Sequence, residues 1–147
     1  MQRVMIIALG SDHAGLPLKR AILQSLEAAG HAVLDAGTQD ETSVDYPDFA
    51  HEVAAKVAAG EAEFGVLVCG TGIGMAISAN RHPSIRAAVL HSTTEARLTR
   101  AHNDANIACF GARTTGVEVA LESLVAFLAT DFEGGRHVRR VAKIETA

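Results

Sequence analysis

The stretch Phe64-Gly65-Val66-Leu67-Val68-Cys69-Gly70-Thr71-Gly72-Ile73-Gly74-Met75 sets a thiol at the end of an apolar run and follows it with alternating glycines. Glycine at every second position lets the backbone turn its N–H groups inward with no Cβ in the way, so several amide donors can converge on one anion beside the sulfur. A thiol becomes a useful base where a helix N-terminus or a nearby cation raises its thiolate fraction. The pattern suits removal of a proton and retention of the negative charge that results. Its plain structural alternative is a small core cysteine followed by a tight strand-to-helix turn.

Other groups accompany it. Asp12 and His13, in Gly10-Ser11-Asp12-His13-Ala14-Gly15, follow an earlier apolar run. They are a carboxylate and an imidazole able to bind sugar hydroxyls or phosphate, or else a helix N-cap with an exposed histidine. His102 stands in His102-Asn103-Asp104-Ala105-Asn106, where a helix-stopping group also holds a general-acid candidate. Arg136 and Arg140 are four apart, so on a helix they share a face and can grip one phosphate; a solvated charged face is the alternative. Arg113, shortly after Phe110-Gly111, adds a third positive charge.

Several chemistries are excluded by spacing. Gly70, Gly72 and Gly74 do not match G-x-G-x-x-G, and Leu90-His91-Ser92 stand where a dinucleotide site needs an acidic residue. No G-K-[ST] follows the glycines, so the loop is not a nucleotide P-loop. Seven histidines are present without H-E-x-x-H or paired-cysteine spacing, so neither a metal nor a cofactor is expected.

These residues need positioning elements. Strand-length apolar runs at Val4–Leu9, Ala32–Leu34, Phe64–Cys69, Ala87–Leu90 and Asn106–Phe110 alternate with helical stretches at Leu16–Ala28, Pro47–Ala59, Ile73–Ala79, Thr93–His102, Thr115–Ala129 and Arg136–Ile144. Pro17 and Pro47 near helix starts, with Gly30 and Gly60 past the ends, follow the usual asymmetry. Alternating β and α elements with continuous apolar strands predict an α/β fold with a parallel sheet covered on both faces. In such sheets ligands sit beyond the carboxyl ends of the strands, where strand order reverses. First and third strands side by side would bring Asp12 and Cys69 together.

At 147 residues and 48% apolar content the chain is long enough for one domain with a sizeable core. A net charge of −4 gives no basic footprint for nucleic acid. The run Val4–Leu9 is too short for a signal-peptide core or a membrane span, so a cytoplasmic protein with no membrane partner is expected. Cys69 and Cys109 both belong to strand-like runs, which predicts reduced thiols and no disulfide framework.

Taken in order, Gly10 to Gly15, Asp45-Tyr46-Pro47, Cys69 to Gly74, Ala79-Asn80-Arg81, His102 to Asn106 and Gly134-Gly135-Arg136-His137 resemble the ribose-5-phosphate isomerase B family, within the wider group that includes galactose-6-phosphate isomerase subunits. The resemblance covers nearly the whole chain. It implies a three-layer α/β/α, Rossmann-like sandwich with a five-stranded parallel sheet, forming one domain over residues 1–147. It implies an aldose–ketose isomerase acting through a cis-enediolate, ribose 5-phosphate to ribulose 5-phosphate first among the substrates. Cys69 falls on the proton-abstracting thiol and His102 on the ring-opening acid. Asp12, His13, Gly70, Thr71, Gly72, Ile73, Gly74, Asn103, Arg113, Arg136 and Arg140 fall on substrate contacts, the C-terminal helix near 136–144 supplying phosphate binding. One branch of the family uses a Glu at the position of Met75, which cannot take a proton, so this chain goes with the thiol branch. The family also implies a homodimer or dimer of dimers with sites at the interface, His102, Asn103 and Arg113 coming from the neighbouring chain. A six-carbon (allose or galactose 6-phosphate) or four-carbon substrate is the alternative within the class. A non-catalytic sugar-phosphate sensor is the alternative outside it, and the presence of both Cys69 and His102 favours the enzyme.

Overall fold

A computed structural model describes residues 3–146. Strands β1 (Ile6–Ser11), β2 (Ala32–Gly37), β3 (Phe64–Cys69), β4 (Ala87–Val89) and β5 (Ile107–Gly111) alternate with helices α1 (Leu16–Ala28), α2 (Tyr46–Ala58), α3 (Ile73–Ala79), α4 (Thr93–Asn103), α5 (Val117–Ala129) and α6 (Arg136–Ala142). All strand pairings are parallel, in the order β2-β1-β3-β5-β4. The chain winds one way from β1 to β2 and the other way from β3 onward, so β1 and β3 flank the reversal.

Alternation along the strands builds two cores. Ile7, Leu9, Val66, Val68, Ala108 and Phe110 face α1, α4 and α5, meeting Ile22, Ala96 and Phe127. Ala8, Leu67, Cys69, Ile107 and Cys109 face α2 and α3, meeting Val53 and Met75. The three-layer α/β/α sandwich with a five-stranded parallel sheet follows. Pro17 and Pro47 sit in the first turns of α1 and α2, and Gly30 and Gly60 take φ of 90° and 78° just beyond their ends.

Boundaries differ from expectation by no more than three residues, and the strand shifts have causes. The first strand starts at Ile6, where pairing with Ala32 of β2 begins, and runs on to Ser11, because Gly10 and Ser11 pair with Leu67 and Val68 of β3. The second strand continues past Leu34 to Gly37 through Asp35, which accepts from Lys19 Nζ at 2.6 Å and from the Gly37 N–H at 2.9 Å. Lys19 is 1% exposed, although its position within α1 reads as an ordinary polar helix residue. The last helix ends at Ala142 rather than Ile144.

Candidate active site

Beyond the carboxyl ends of β1 and β3 lies an open cleft of about 440 Å³, lined by Asp12, Cys69, Gly70, Thr71, Ile73, Gly74 and Arg113 together with Tyr46 and Ile77. The pairing of Ser11 with Val68 brings the next residues, Asp12 and Cys69, to one edge, and the Asp12 N–H donates to the Val68 carbonyl at 3.2 Å. Cys69 is nearly buried, and its Sγ accepts the Gly72 N–H at 3.2 Å. Gly72 caps α3 in the left-handed region, at φ 79°, where a side chain is strained. Gly74 is needed for a different reason: a Cβ there would run into the ring of Tyr46, so the aromatic wall of the cleft packs directly on the loop backbone.

The loop divides its amide donors. The Gly72 N–H goes to the sulfur and the Ile73 N–H to Thr71 Oγ1 at 3.2 Å. The N–H groups of Thr71 and Gly74, both lining the cleft, have no hydrogen-bond partner among the described residues. Asp12 serves both readings of its position: Oδ1 accepts the Gly15 N–H at 2.9 Å ahead of α1, while the residue lines the cleft. His13 lies just past β1 and accepts the Val44 N–H on Nδ1 at 3.2 Å, outside the residues that line the cleft itself. Arg113 donates its N–H to the Gly70 carbonyl at 2.9 Å and lays its side chain along Gly70. This departs from the expected grouping of Arg113 with His102: the turn after β5 returns it to the Cys69 side of its own chain.

His102, Asn103, Arg136 and Arg140 lie outside the residues that line this cleft. The last turn of α4 leads into the start of β5, and β5 pairs with β3 from Gly65↔Ile107 to Cys69↔Gly111. Four strand steps of about 3.3 Å, ~13 Å in all, separate those ends, so the turn that follows His102 and Cys69 lie at opposite ends of the paired strands. His102 stacks on His137 with ring centroids 4.4 Å apart and planes 15° from parallel. Glu133 places one carboxylate oxygen 3.7 Å from His102 Nε2 and the other 3.8 Å from His137 Nε2. Burial first, then the charges of His102 and Arg136, hold His137 below the usual histidine range. Arg136 and Arg140 are exposed on α6, four residues apart, and Asn103 borders a separate hollow of about 320 Å³ with Arg86 and Thr99.

Sequence reasoning left Tyr46, Glu133 and His137 without a role. Tyr46 has a local signal, an aromatic beside Pro47 at a helix start, but its contact with Gly74 is purely tertiary. Glu133 and His137 lie four apart across Gly134-Gly135, a spacing that acquires meaning only once α4 brings His102 beside them.

The sequence model of the Ribose/Galactose Isomerase family matches residues 7–144. The chain belongs to that family. The match starts in β1 and ends beyond α6, so both groups of side chains lie within it. This isomerase is 45% identical to the ribose-5-phosphate isomerase B of Escherichia coli (strain K12) over 94% of its own length and 93% of the relative's. It is also 45% identical to a putative sugar phosphate isomerase of Bacillus subtilis (strain 168), over 95% of each chain. Among solved structures, a ribose-5-phosphate isomerase B of Clostridium thermocellum superposes with a TM-score of 0.94 at 48% identity, covering 95% of each chain. One from Thermotoga maritima gives 0.95 at 47%, covering 97% of this isomerase and 98% of the other. No helix among the described residues is long and apolar enough to cross a membrane.

Proposed function

We propose that this isomerase interconverts ribose 5-phosphate and ribulose 5-phosphate through a cis-enediolate, with Cys69 as base and His102 as ring-opening acid. The reaction removes the proton on C2 of the open aldose, so that the C–H electron pair forms a C1–C2 double bond and the C1 carbonyl oxygen becomes an enediolate oxygen; the proton then returns to C1 while the C2 hydroxyl passes its proton to O1, which leaves the carbonyl on C2. The observation that carries the reading is the cleft mouth: Cys69 Sγ held by the Gly72 N–H, beside the unpaired N–H groups of Thr71 and Gly74. The sulfur takes the proton, and those amides are the donors for the enediolate, a fixed donor of this kind being worth on the order of 3 kcal/mol in oxyanion sites. Met75, fully buried beneath the loop, has no proton-accepting group to replace the thiol. The substrate rests mainly as a ring, so a separate acid must protonate the ring oxygen; His102 is assigned that step.

The site is assigned to a two-fold dimer in which a second copy supplies His102, Asn103, Arg136 and Arg140 opposite Cys69. The separation of the two groups within one chain supports this, as does the exposed apolar rim of Ile73 and Ile77 beside the cleft. The arginines clamp the phosphate, and the distance from clamp to sulfur selects chain length. Two free, buried thiols suit a cytoplasmic enzyme. The decisive test is Cys69→Ala assayed on four-, five- and six-carbon aldose phosphates: the parent enzyme should prefer the five-carbon substrate, and the variant should lose turnover and solvent-proton exchange at C2. Wild-type exchange in the variant would remove Cys69 as base.

A further inference from the structure

Three potential metal donors converge away from the thiol cleft. His102 ends α4, His137 lies in the first turn of α6, and Glu133 stands on the connection before it. One donor atom from each lies within 4.8 Å of the other two. The carboxylate approaches the two Nε2 atoms at 3.7 and 3.8 Å. Those distances are too long for hydrogen bonds. They are close to the spacing of donors that each stand about 2.1 Å from a shared ion, and because two rings stacked 15° from parallel cannot both aim in-plane lone pairs at one point, ligation requires the half-buried His102 ring to turn out of its stack on His137.

A second observation points the same way. Among the described residues buried His137 Nε2 has no hydrogen-bond partner, in a side chain only 8% exposed, and it faces the Glu133 carboxylate. An orphaned buried nitrogen of this kind needs an explanation. The scaffold is also fixed before any ion arrives: the Glu133 N–H donates to the Ala101 carbonyl at 3.0 Å, and the His137 N–H to Gly134 at 3.1 Å.

We propose that His102, Glu133 and His137 form a binding site for a divalent transition ion of the zinc class, and that occupancy halts the isomerase by taking up the imidazole of His102. Two imidazoles and one carboxylate are the donor set such ions favour, with a position left open. Arg136 and Arg140 oppose the cation, and the bridging carboxylate offsets them. Inhibition rests on the ring-opening assignment of His102; binding does not.

The test uses the full chain, stripped with chelator, in a Cys69→Ala background that removes a competing thiol. Co2+ titration should give visible absorption saturating at one ion per chain and bleached by Zn2+. Glu133→Gln, at an exposed position, and His137→Ala should each weaken binding tenfold or more, since losing even a partner of a ligand costs that much. No absorption and no titration heat, or unchanged binding in both variants, overturns the site. In the parent enzyme, Zn2+ should stop turnover of ring-forming substrate, with recovery on adding EDTA and resistance in Glu133→Gln. A fully occupied enzyme with undiminished turnover would overturn the inhibition and the His102 assignment together, while absent metal with a defective His102→Ala enzyme would overturn the site alone.

Discussion

A shared active site predicts that two dead enzymes can restore each other. On the proposed mechanism, Cys69→Ala removes the base from the cleft beyond β3, and His102→Ala removes the acid at the far end of α4. The register Gly65↔Ile107 to Cys69↔Gly111 spans ~13 Å of sheet, with the turn that follows His102 at one end and Cys69 at the other. In the proposed two-fold dimer each site draws its thiol from one copy and its imidazole from the other. In a mixed dimer one site carries both lesions and its two-fold mate carries neither. Random pairing of equal amounts puts about half the population in mixed dimers with one working site of two, so activity should recover to about a quarter of wild type by symmetry alone. The assay is conversion of ribose 5-phosphate after subunit exchange under mild denaturant, with exchange verified by mass-tagged subunits. Recovery should follow the product of the two subunit fractions and peak at equal mixing. No recovery despite proven exchange would place both groups in the same chain's site and refute the reasoning.

Thiol reagents should label Cys69 well ahead of Cys109, with ribose 5-phosphate protecting: Cys109 is fully buried, and burial with the neighbouring Cys69 sulfur pushes its thiol far up. Peptide mapping that finds equal labelling would contradict the cleft assignment. Arg136→Ala and Arg140→Ala should raise KM with kcat largely kept, most strongly at low salt, because phosphate attraction is screened. Steady-state kinetics at two ionic strengths reads this directly. Asp35→Asn should cost about 3 kcal/mol in denaturant unfolding, since it leaves buried Lys19 without its counter-charge. Burial pushes the Asp35 carboxyl up, but the Lys19 and Gly37 hydrogen bonds outweigh it and hold the group below its ordinary 3.8. Its contribution is therefore present above about pH 4 and fades as pH falls through the lower folded value, a slope the variant should lack.

The layers and the cleft were legible because each rests on local signals. Continuous apolar strands, Pro near helix starts and Gly beyond their ends mark the alternation, and the side-by-side placement of β1 and β3 joins Asp12 to Cys69. What escaped depends on contacts between distant segments. Nothing near Lys19 announces that its ammonium meets Asp35 and the Thr38 carbonyl. Arg113 follows β5 and so belongs at the carboxyl ends of the strands with Cys69; its grouping with His102 comes from the family resemblance, and the turn after β5 directs it instead to Gly70. His137 looks like one polar residue in a basic helix, and only the docking of α6 on α4 reveals its stack with His102.

Lys19 also connects stability to chemistry. Its Nζ donates to the Thr38 carbonyl at 2.7 Å, and the Thr38 N–H donates in turn to the Ser11 carbonyl at 2.8 Å. Ser11 is the last residue of β1, so this chain of bonds ties the end of edge strand β2 to the backbone that carries Asp12. A hydrophobic residue at position 19 would fill the space but leave the Thr38 carbonyl without this donor, and the segment after β2 would lose its hold on β1. The buried ammonium is thus suited to a task that apolar packing cannot perform: it fixes three segments at one point. Asp12 faces the cleft from a backbone that α1, β2 and β3 all restrain, and on the proposed reaction a carboxylate so held meets the sugar in a constant place each turnover.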